Sequence, residues 1–158
     1  MRIQPVLNGA RRTLEVEPGE MLLDVLRRAG CTGVKFGCGE GDCGACSVLL
    51  DGEPVNSCLV LAARVDGHCV TTIEGLGSVH APHPLQRAFA EEGAVQCGYC
   101  IPGSILSASA LLARNPQPAD AEILHALDGN LCRCTGYVKK LVAVRRVAEE
   151  LREGDHAG

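Results

Sequence analysis

The chain contains no tryptophan, and aromatic residues make up only 3% of its 158 residues. Because 46% of the residues are apolar, the chain can still bury a core, which must be packed mainly from aliphatic side chains. The two tyrosines, Tyr99 and Tyr137, both lie close to cysteines. Their rings either shield a site formed by those cysteines from water or are ordinary core or surface residues.

Excess positive charge and long apolar runs are lacking as well. The formal net charge is −4, which argues against nucleic-acid binding because nucleic acids attract strongly basic surfaces. No stretch approaches the ~18 apolar residues of a membrane-spanning helix. The first residues contain no apolar run typical of a signal peptide, and the strand-like residues Thr13–Glu17 after Arg11-Arg12 do not fit a twin-arginine signal. We therefore expect a cytoplasmic protein without membrane insertion.

Cysteine, in contrast, is abundant. In a reducing cytoplasm, clustered cysteines indicate metal binding rather than disulfides. Two of the ten, Cys31 and Cys69, stand apart and are expected to be small buried hydrophobic residues. The other eight form two groups of four: the first quartet is Cys38, Cys43, Cys46 and Cys58, and the second quartet is Cys97, Cys100, Cys132 and Cys134.

The spacing within each quartet indicates the kind of metal site. Four thiolates are what one iron–sulfur cluster takes, and the C-x4-C-x2-C start of the first quartet is the plant-type ferredoxin pattern for [2Fe–2S]. Glycines alternate with these cysteines and allow the chain to wrap tightly. Zinc is the alternative, although zinc sites favour paired short knuckles. The Cys97-x2-Cys100 pair alone is also compatible with a redox pair or a zinc knuckle.

The hydrophobic patterns predict an α+β protein with two domains. Residues 1–76 are expected to form a β-grasp domain, residues 77–83 a linker, residues 84–152 a four-helix domain and residues 153–158 a tail. The predicted strands are 3–7, 13–16, a hairpin turning at Asp51-Gly52, and 69–73, with Asn8-Gly9 turning between the first two. One short helix ends at Gly30, and the later helices are 85–92, 102–114, 120–127 and 138–151. The last helix is expected to bury Leu141, Val144, Val147, Ala148 and Leu151 and to expose Lys139, Lys140, Arg145 and Arg146.

Three motifs carry a family resemblance. Residues 37–46 (GCGEGDCGAC), 96–103 (QCGYCIPG) and 129–137 (GNLCRCTGY) resemble the small iron–sulfur subunit of the xanthine oxidase family of molybdenum hydroxylases. The resemblance covers nearly the whole chain, and the departures are slight: Tyr99 and Ile101 stand where Phe and Thr are common in such proteins.

The resemblance implies an electron-transfer subunit with a plant-type ferredoxin domain, a four-helix [2Fe–2S]-binding domain and one cluster on each quartet. A large subunit would hold molybdopterin, usually the cytosine dinucleotide form in bacteria, and carry out the substrate chemistry. A medium subunit would hold FAD, and the complex would be a dimer of heterotrimers. The second quartet would lie nearest molybdopterin, with Gln96 and Cys134 hydrogen-bonded to the pterin, and the first would face the flavin. The alternatives are a free-standing two-cluster ferredoxin and a zinc-stabilised interaction module.

Overall fold

The computed structural model describes residues 1–134 and 136–155. Thr135 and the last three residues of the predicted tail lie outside the described residues. Within the described ranges the chain forms seven short strands and six α-helices, the α+β class predicted. The strands are β1 (Arg2–Ile3), β2 (Val6–Leu7), β3 (Ala10–Arg11), β4 (Leu14–Glu15), β5 (Ser47–Leu50), β6 (Glu53–Asn56) and β7 (Cys69–Thr71). The helices are α1 (Leu22–Arg28), α2 (Ile73–Leu76), α3 (Pro84–Glu91), α4 (Ile101–Arg114), α5 (Asp120–Leu127) and α6 (Val138–Asp155).

The N-terminal half is a mixed sheet packed against one helix. The main sheet has the strand order β3-β2-β7-β5-β6, in which β2 and β7 are parallel and the other neighbours antiparallel. Helix α1 buries Leu22, Leu23, Val25 and Leu26, and these side chains share an aliphatic core with sheet residues such as Val48. The arrangement is the ferredoxin-like fold predicted from the strand and helix pattern.

Both predicted hairpin turns are present. The turn residues Asn8 and Gly9 have φ of 51° and 80°, and Asp51 and Gly52 have φ of 51° and 89°. Positive φ at both central residues is what a tight two-residue hairpin requires, and Asn, Asp and Gly tolerate it best.

The two N-terminal strands are shorter than predicted, because Pro5 interrupts the first of them. Proline has no N–H to donate to a ladder, and Pro5 contributes only its carbonyl, which accepts from the Arg12 N–H at 3.0 Å. The predicted strand 3–7 is therefore divided between β1 and β2. The predicted strand 13–16 corresponds to β4, which pairs with β1, whereas β2 pairs with β3, a strand at residues 10–11 that was not predicted. The predicted strand 69–73 ends at Thr71. The Thr72 N–H donates to Asn8 Oδ1 at 2.8 Å rather than to a neighbouring strand, and α2 begins at Ile73.

The C-terminal half consists of the four predicted helices, α3 to α6. Each begins within one residue of its predicted start, and α3 and α4 have proline in their first turn, where the missing N–H costs nothing. Helix α6 continues to Asp155, beyond the predicted end. The four helices enclose a second aliphatic core around Phe89, separate from that of the sheet. None of the described helices is long and apolar enough to cross a membrane.

Three expectations about burial are wrong. Helix α6 buries Lys140 completely, on the same face as Ala143 and Val144, whereas the predicted core residue Leu151 is 43% exposed. Residues three and four apart in sequence lie on the same face of a helix. The buried face of α6 is therefore rotated about the helix axis from the predicted face, so that it includes Lys140 and Ala143 and leaves out Leu151. Cys31 is buried as expected, but Cys69 is exposed, because neighbouring strand residues point to opposite faces and Val70 occupies the core side.

Candidate metal centres

The first quartet is assembled by a loop and a turn. The loop between α1 and β5 supplies Cys38, Cys43 and Cys46, and the 3₁₀ turn after β6 supplies Cys58. The side chain of Cys38 contacts that of Cys43, Cys46 contacts Cys58, and Cys58 lies within electrostatic range of Cys38. The structure thus brings the four predicted ligands into one group.

Backbone N–H groups surround the outer part of the first quartet. The Glu40 N–H donates to Cys38 Sγ at 3.4 Å. Together with the N–H groups of Cys43 and Asp42, this hydrogen bond lowers the pKa of the Cys38 thiol to about 6. On the inner side, burial and the neighbouring Cys46 raise the pKa of Cys58 to about 11. Thiols held by N–H donors on one side and by the protein core on the other fit an iron–sulfur cluster, whose sulfurs accept hydrogen bonds of this kind.

Close packing fixes the loop that carries these cysteines. A Cβ on Gly37 would lie 2.5 Å from Cys43 Sγ, so no larger residue fits there without displacing the sulfur. The Asn56 amide donates to the Gly41 carbonyl at 2.6 Å, and Ser57 Oγ donates to the Cys46 carbonyl at 2.7 Å. These contacts tie the loop to β6 and the turn after it, which is why the fourth ligand depends on the fold of the sheet.

The second quartet joins the start of α4 to the connection between α5 and α6. Cys97 contacts Cys134, and Cys100 contacts Cys132, so each pair takes one cysteine from each segment. Cys97 and Cys134 are exposed, whereas Cys100 and Cys132 are half-buried. The Tyr99 N–H lowers the pKa of Cys97, whose sulfur in turn raises the pKa of Cys134.

A buried cation lies behind the second quartet. The Lys140 ammonium donates to Cys100 Sγ at 3.3 Å and to Ser104 Oγ at 2.9 Å, and it lies 5.6 Å from the centre of the Tyr137 ring. Burial raises the pKa of the Cys100 thiol, and the hydrogen bond from Lys140 opposes that rise. Sequence reasoning missed this lysine, although its position four residues before Val144 could have placed it on the buried face.

The tyrosines beside the cysteines have structural roles at the second quartet. Tyr137 Oη accepts the Cys132 N–H at 3.1 Å. Tyr99 Oη donates to the Phe36 carbonyl, and the ammonium of Lys35 lies 5.6 Å from the Tyr99 ring centre. Both rings are partly exposed, at 47% for Tyr99 and 40% for Tyr137. Tyr99 therefore connects the second quartet to the segment that leads into the first.

A cleft of about 190 Å³ lies between the second quartet and the Cys43 side of the first cysteine loop. Cys43 and Ala45 line one side, and the second quartet with Gln96 lines the other. The Leu131 N–H donates to the Cys43 carbonyl at 3.0 Å, which links the two cysteine-bearing loops directly. The Gln96 side chain is exposed, so the predicted pterin contact lies at the rim of this cleft.

Buried contacts between two glycines and an asparagine hold the two halves together beside the cleft. A Cβ on Gly103 in α4 would lie 2.3 Å from the Gly44 carbonyl oxygen. That oxygen also accepts from Asn130 Nδ2 at 3.2 Å, and Asn130 Nδ2 is 3.3 Å from Ser47 Oγ. The Asn130 Oδ1 atom is buried without a hydrogen-bond partner among the described residues.

None of the ten cysteines, all of which lie within the described residues, forms a disulfide. Among the described residues, no three Cys, His, Asp or Glu side chains are arranged to hold a single metal ion. Each quartet does fit the donor set of one iron–sulfur cluster: four thiols, with backbone N–H donors at the first quartet and a buried ammonium at the second.

Comparison with protein families agrees with this chemistry. Residues 6–73 match a 2Fe-2S iron–sulfur cluster binding domain, and residues 72–145 match a second family, a [2Fe-2S] binding domain. Together the two matches define the class: an iron–sulfur protein with two such domains in tandem.

The relatives identify the family. The chain is 53% identical to the nicotinate dehydrogenase small FeS subunit of Eubacterium barkeri, over 90% of this chain and 92% of that protein. A chain of quinoline 2-oxidoreductase from Pseudomonas putida 86 superposes with a TM-score of 0.92 at 43% identity, covering 98% of this chain and 97% of that one. Aldehyde oxidoreductase from Desulfovibrio gigas gives a TM-score of 0.93 at 42% identity, covering 98% of this chain but 17% of that longer chain.

This chain therefore belongs to the small iron–sulfur subunits of the xanthine oxidase family of molybdenum hydroxylases, as its motifs predicted. It is an electron-transfer subunit of an oxidoreductase complex. Its own domains bind [2Fe–2S], and in this family molybdopterin and FAD belong to partner subunits, the large and the medium one.

Proposed function

We propose that this chain holds two [2Fe–2S] clusters and relays electrons one at a time from molybdopterin on the large subunit to FAD on the medium subunit. When bound, each cluster supplies a centre that accepts and gives up a single electron. The proposed ligands are the first quartet (Cys38, Cys43, Cys46, Cys58) and the second quartet (Cys97, Cys100, Cys132, Cys134). The observation that carries the proposal is that each quartet brings four cysteines together, and that Cys43 of the first quartet lines the same cleft as all four cysteines of the second.

The division into domains follows the same logic. Residues 1–76 and 84–152 would each bind one cluster, with residues 77–83 as the linker. Two separate aliphatic cores, one around α1 and one around Phe89, support two domains, and Ile73 and Leu76 of α2 pack against the second of these cores. Contacts between the halves then fix the separation of the two clusters.

The exposure of the second quartet supports its place beside the large subunit. Cys97 and Cys134 are exposed at the rim of the cleft, next to the exposed amide of Gln96. A carboxamide both donates and accepts hydrogen bonds, so the Gln96 side chain can form hydrogen bonds with the edge of a pterin. Cys134 would contact the same pterin. A cluster sulfur in contact with the pterin gives a short path for electrons.

The surroundings of the first quartet support a protein partner on that side. Phe36 and Leu59 are 59% and 58% exposed, and their side chains lie against Gly39 and Gly41 of the cysteine loop. Large exposed apolar side chains beside a redox site favour an interface over a freely solvated surface. We assign this side to the FAD subunit, within a dimer of heterotrimers in the cytoplasm. A free-standing ferredoxin would leave the same apolar side chains in water.

Paired cysteine variants test the proposal in the purified complex. Cys43→Ser should abolish one [2Fe–2S] EPR signal and keep the other, and Cys97→Ser should do the reverse. Cys69→Ser, at an exposed cysteine outside both quartets, is the control and should keep both signals.

The order of the relay can be tested with the same variants. A panel of nicotinate, quinoline, xanthine and aldehydes, the compounds named for the relatives, serves to find a reducing substrate. That substrate should still reduce the remaining cluster in Cys43→Ser but should no longer deliver electrons to FAD. If Cys43→Ser instead removed both signals, or if FAD were reduced at the wild-type rate, the proposed relay would be wrong.

A further inference from the structure

We propose that Lys140 is a positioning residue that raises the reduction potential of the cluster on the second quartet, through a hydrogen bond from its buried ammonium to Cys100 Sγ. The inference rests on the proposed function, since it assumes that this quartet holds a cluster. It assigns to a lysine of the core a role in setting how readily that cluster takes an electron.

The geometry holds the ammonium in one position. Lys140 is completely buried, with Nζ 3.3 Å from Cys100 Sγ and 2.9 Å from Ser104 Oγ. The Ser104 hydroxyl gives its own hydrogen to the Cys100 carbonyl at 2.9 Å, so its oxygen is left to accept from the lysine. The direction of each of these three hydrogen bonds is therefore fixed.

The charge of Lys140 has no counterpart among the described carboxylates. Its neighbours on α6 are paired: Arg145 with Asp120, and Arg146 with glutamates that include Glu92. No described carboxylate lies within ion-pair distance of the Lys140 ammonium. A buried cation is stable only beside compensating negative charge, and the nearest group that can supply it is the Cys100 sulfur, as a thiolate bound to iron.

This arrangement has a direct consequence for redox equilibrium. Reduction adds one electron to the cluster and converts one ferric ion to ferrous. The net negative charge therefore grows by one, and a cation hydrogen-bonded to a ligand sulfur favours the reduced form. The first quartet has backbone N–H donors instead, so the effect is confined to one of the two clusters.

The test is a redox titration of the intact complex, with dithionite as reductant and the two EPR signals assigned by the Cys43→Ser and Cys97→Ser variants. Lys140→Met keeps the length and packing of the side chain but removes the charge and the donor. We expect the equilibrium constant for reduction of the second-quartet cluster to fall at least tenfold, which is 59 mV for a one-electron couple. The other potential should not move.

Two further variants complete the design. Lys139→Met removes the same charge from the exposed neighbouring position and should leave both potentials unchanged. Lys140→Gln keeps a neutral donor and should give a smaller shift in the same direction. A change below twofold in Lys140→Met, or loss of the cluster in both Lys140 variants, would overturn the proposal, the latter because Lys140 would then serve assembly. Absence of two [2Fe–2S] signals in the wild-type complex would instead overturn the proposed function.

Discussion

Gly103→Ala tests how the two halves of the molecule are held together. Gly103 lies in the first turn of α4, and the added Cβ would meet the Gly44 carbonyl oxygen at 2.3 Å. Ordinary contact begins near 3.4 Å, so the helix and the cysteine loop must move apart by roughly 1 Å. Gly44 follows Cys43, and Gly103 is three residues beyond Cys100, so this movement would alter the spacing of the two proposed clusters.

Three contributions to the free energy of unfolding, one favourable and two unfavourable, decide the size of the effect. Replacing glycine by alanine within a helix favours folding by about 0.5–1 kcal/mol. Forcing an extra carbon into a close-packed site costs about 1–3 kcal/mol. The shift also weakens the hydrogen bond from Asn130 to the Gly44 carbonyl, which contributes about 1 kcal/mol. The sum is a net loss of about 1–3 kcal/mol, despite the higher helix propensity of alanine.

Thermal unfolding of the cluster-loaded chain, followed by circular dichroism, measures this loss. For a chain of this size, 1 kcal/mol corresponds to about 2–4 °C in Tm, so we expect Tm to fall by several degrees. Gly129→Ala is the control, since its Cβ would meet nothing within 4 Å, and its Tm should stay the same or rise slightly. If Gly103→Ala were as stable as Gly129→Ala, the argument from close packing would be refuted.

Two further predictions concern the rim of the cleft and the start of α3. Gln96→Ala should leave the iron content unchanged but slow reduction of the clusters by substrate in stopped-flow mixing, and an unchanged rate would exclude the proposed pterin contact. His83→Asn should make the stability of the protein less sensitive to acid. Burial lowers the pKa of His83 below 6.5 in the folded chain, so the unfolded chain binds a proton at this residue more readily. The stability of the wild-type protein therefore falls as the pH drops from about 6.5 toward the lowered pKa. Asparagine can still accept the Leu85 N–H that His83 Nδ1 accepts at 3.2 Å, but it does not titrate. Melts at about pH 7.5 and about pH 5.5 should show a smaller loss for the variant, and equal losses would contradict the prediction.

Features governed by short stretches of sequence were predictable. The turns at Asn8-Gly9 and Asp51-Gly52 follow from the conformational preferences of those residues, and all four later helices were found from their periodicity and proline positions. The two quartets were recognisable because cluster ligands in the first loop lie close together in sequence. Cys97 and Cys100 alone were ambiguous, and it was the Cys132-x-Cys134 pair downstream, together with the ferredoxin-like half upstream, that favoured a second cluster site.

Features that depend on packing between elements were not predictable. The sequence predicts Lys140 to be a surface residue because it lies in a charged stretch. Only the packing of α6 against its neighbouring helices places the Lys140 side chain beside Cys100. The close approach of Gly103 to Gly44 joins residues from different halves of the chain, and neither carries a side chain to signal it. Cys69 was misjudged for a related reason, because the face of β7 that meets the core depends on sheet register.

Iron and acid-labile sulfide content of the purified chain tests the central claim most directly. Two [2Fe–2S] clusters on the two quartets predict about four iron ions and about four sulfides per chain, with no zinc. Zinc without sulfide, or only half of the iron and sulfide, would contradict the account.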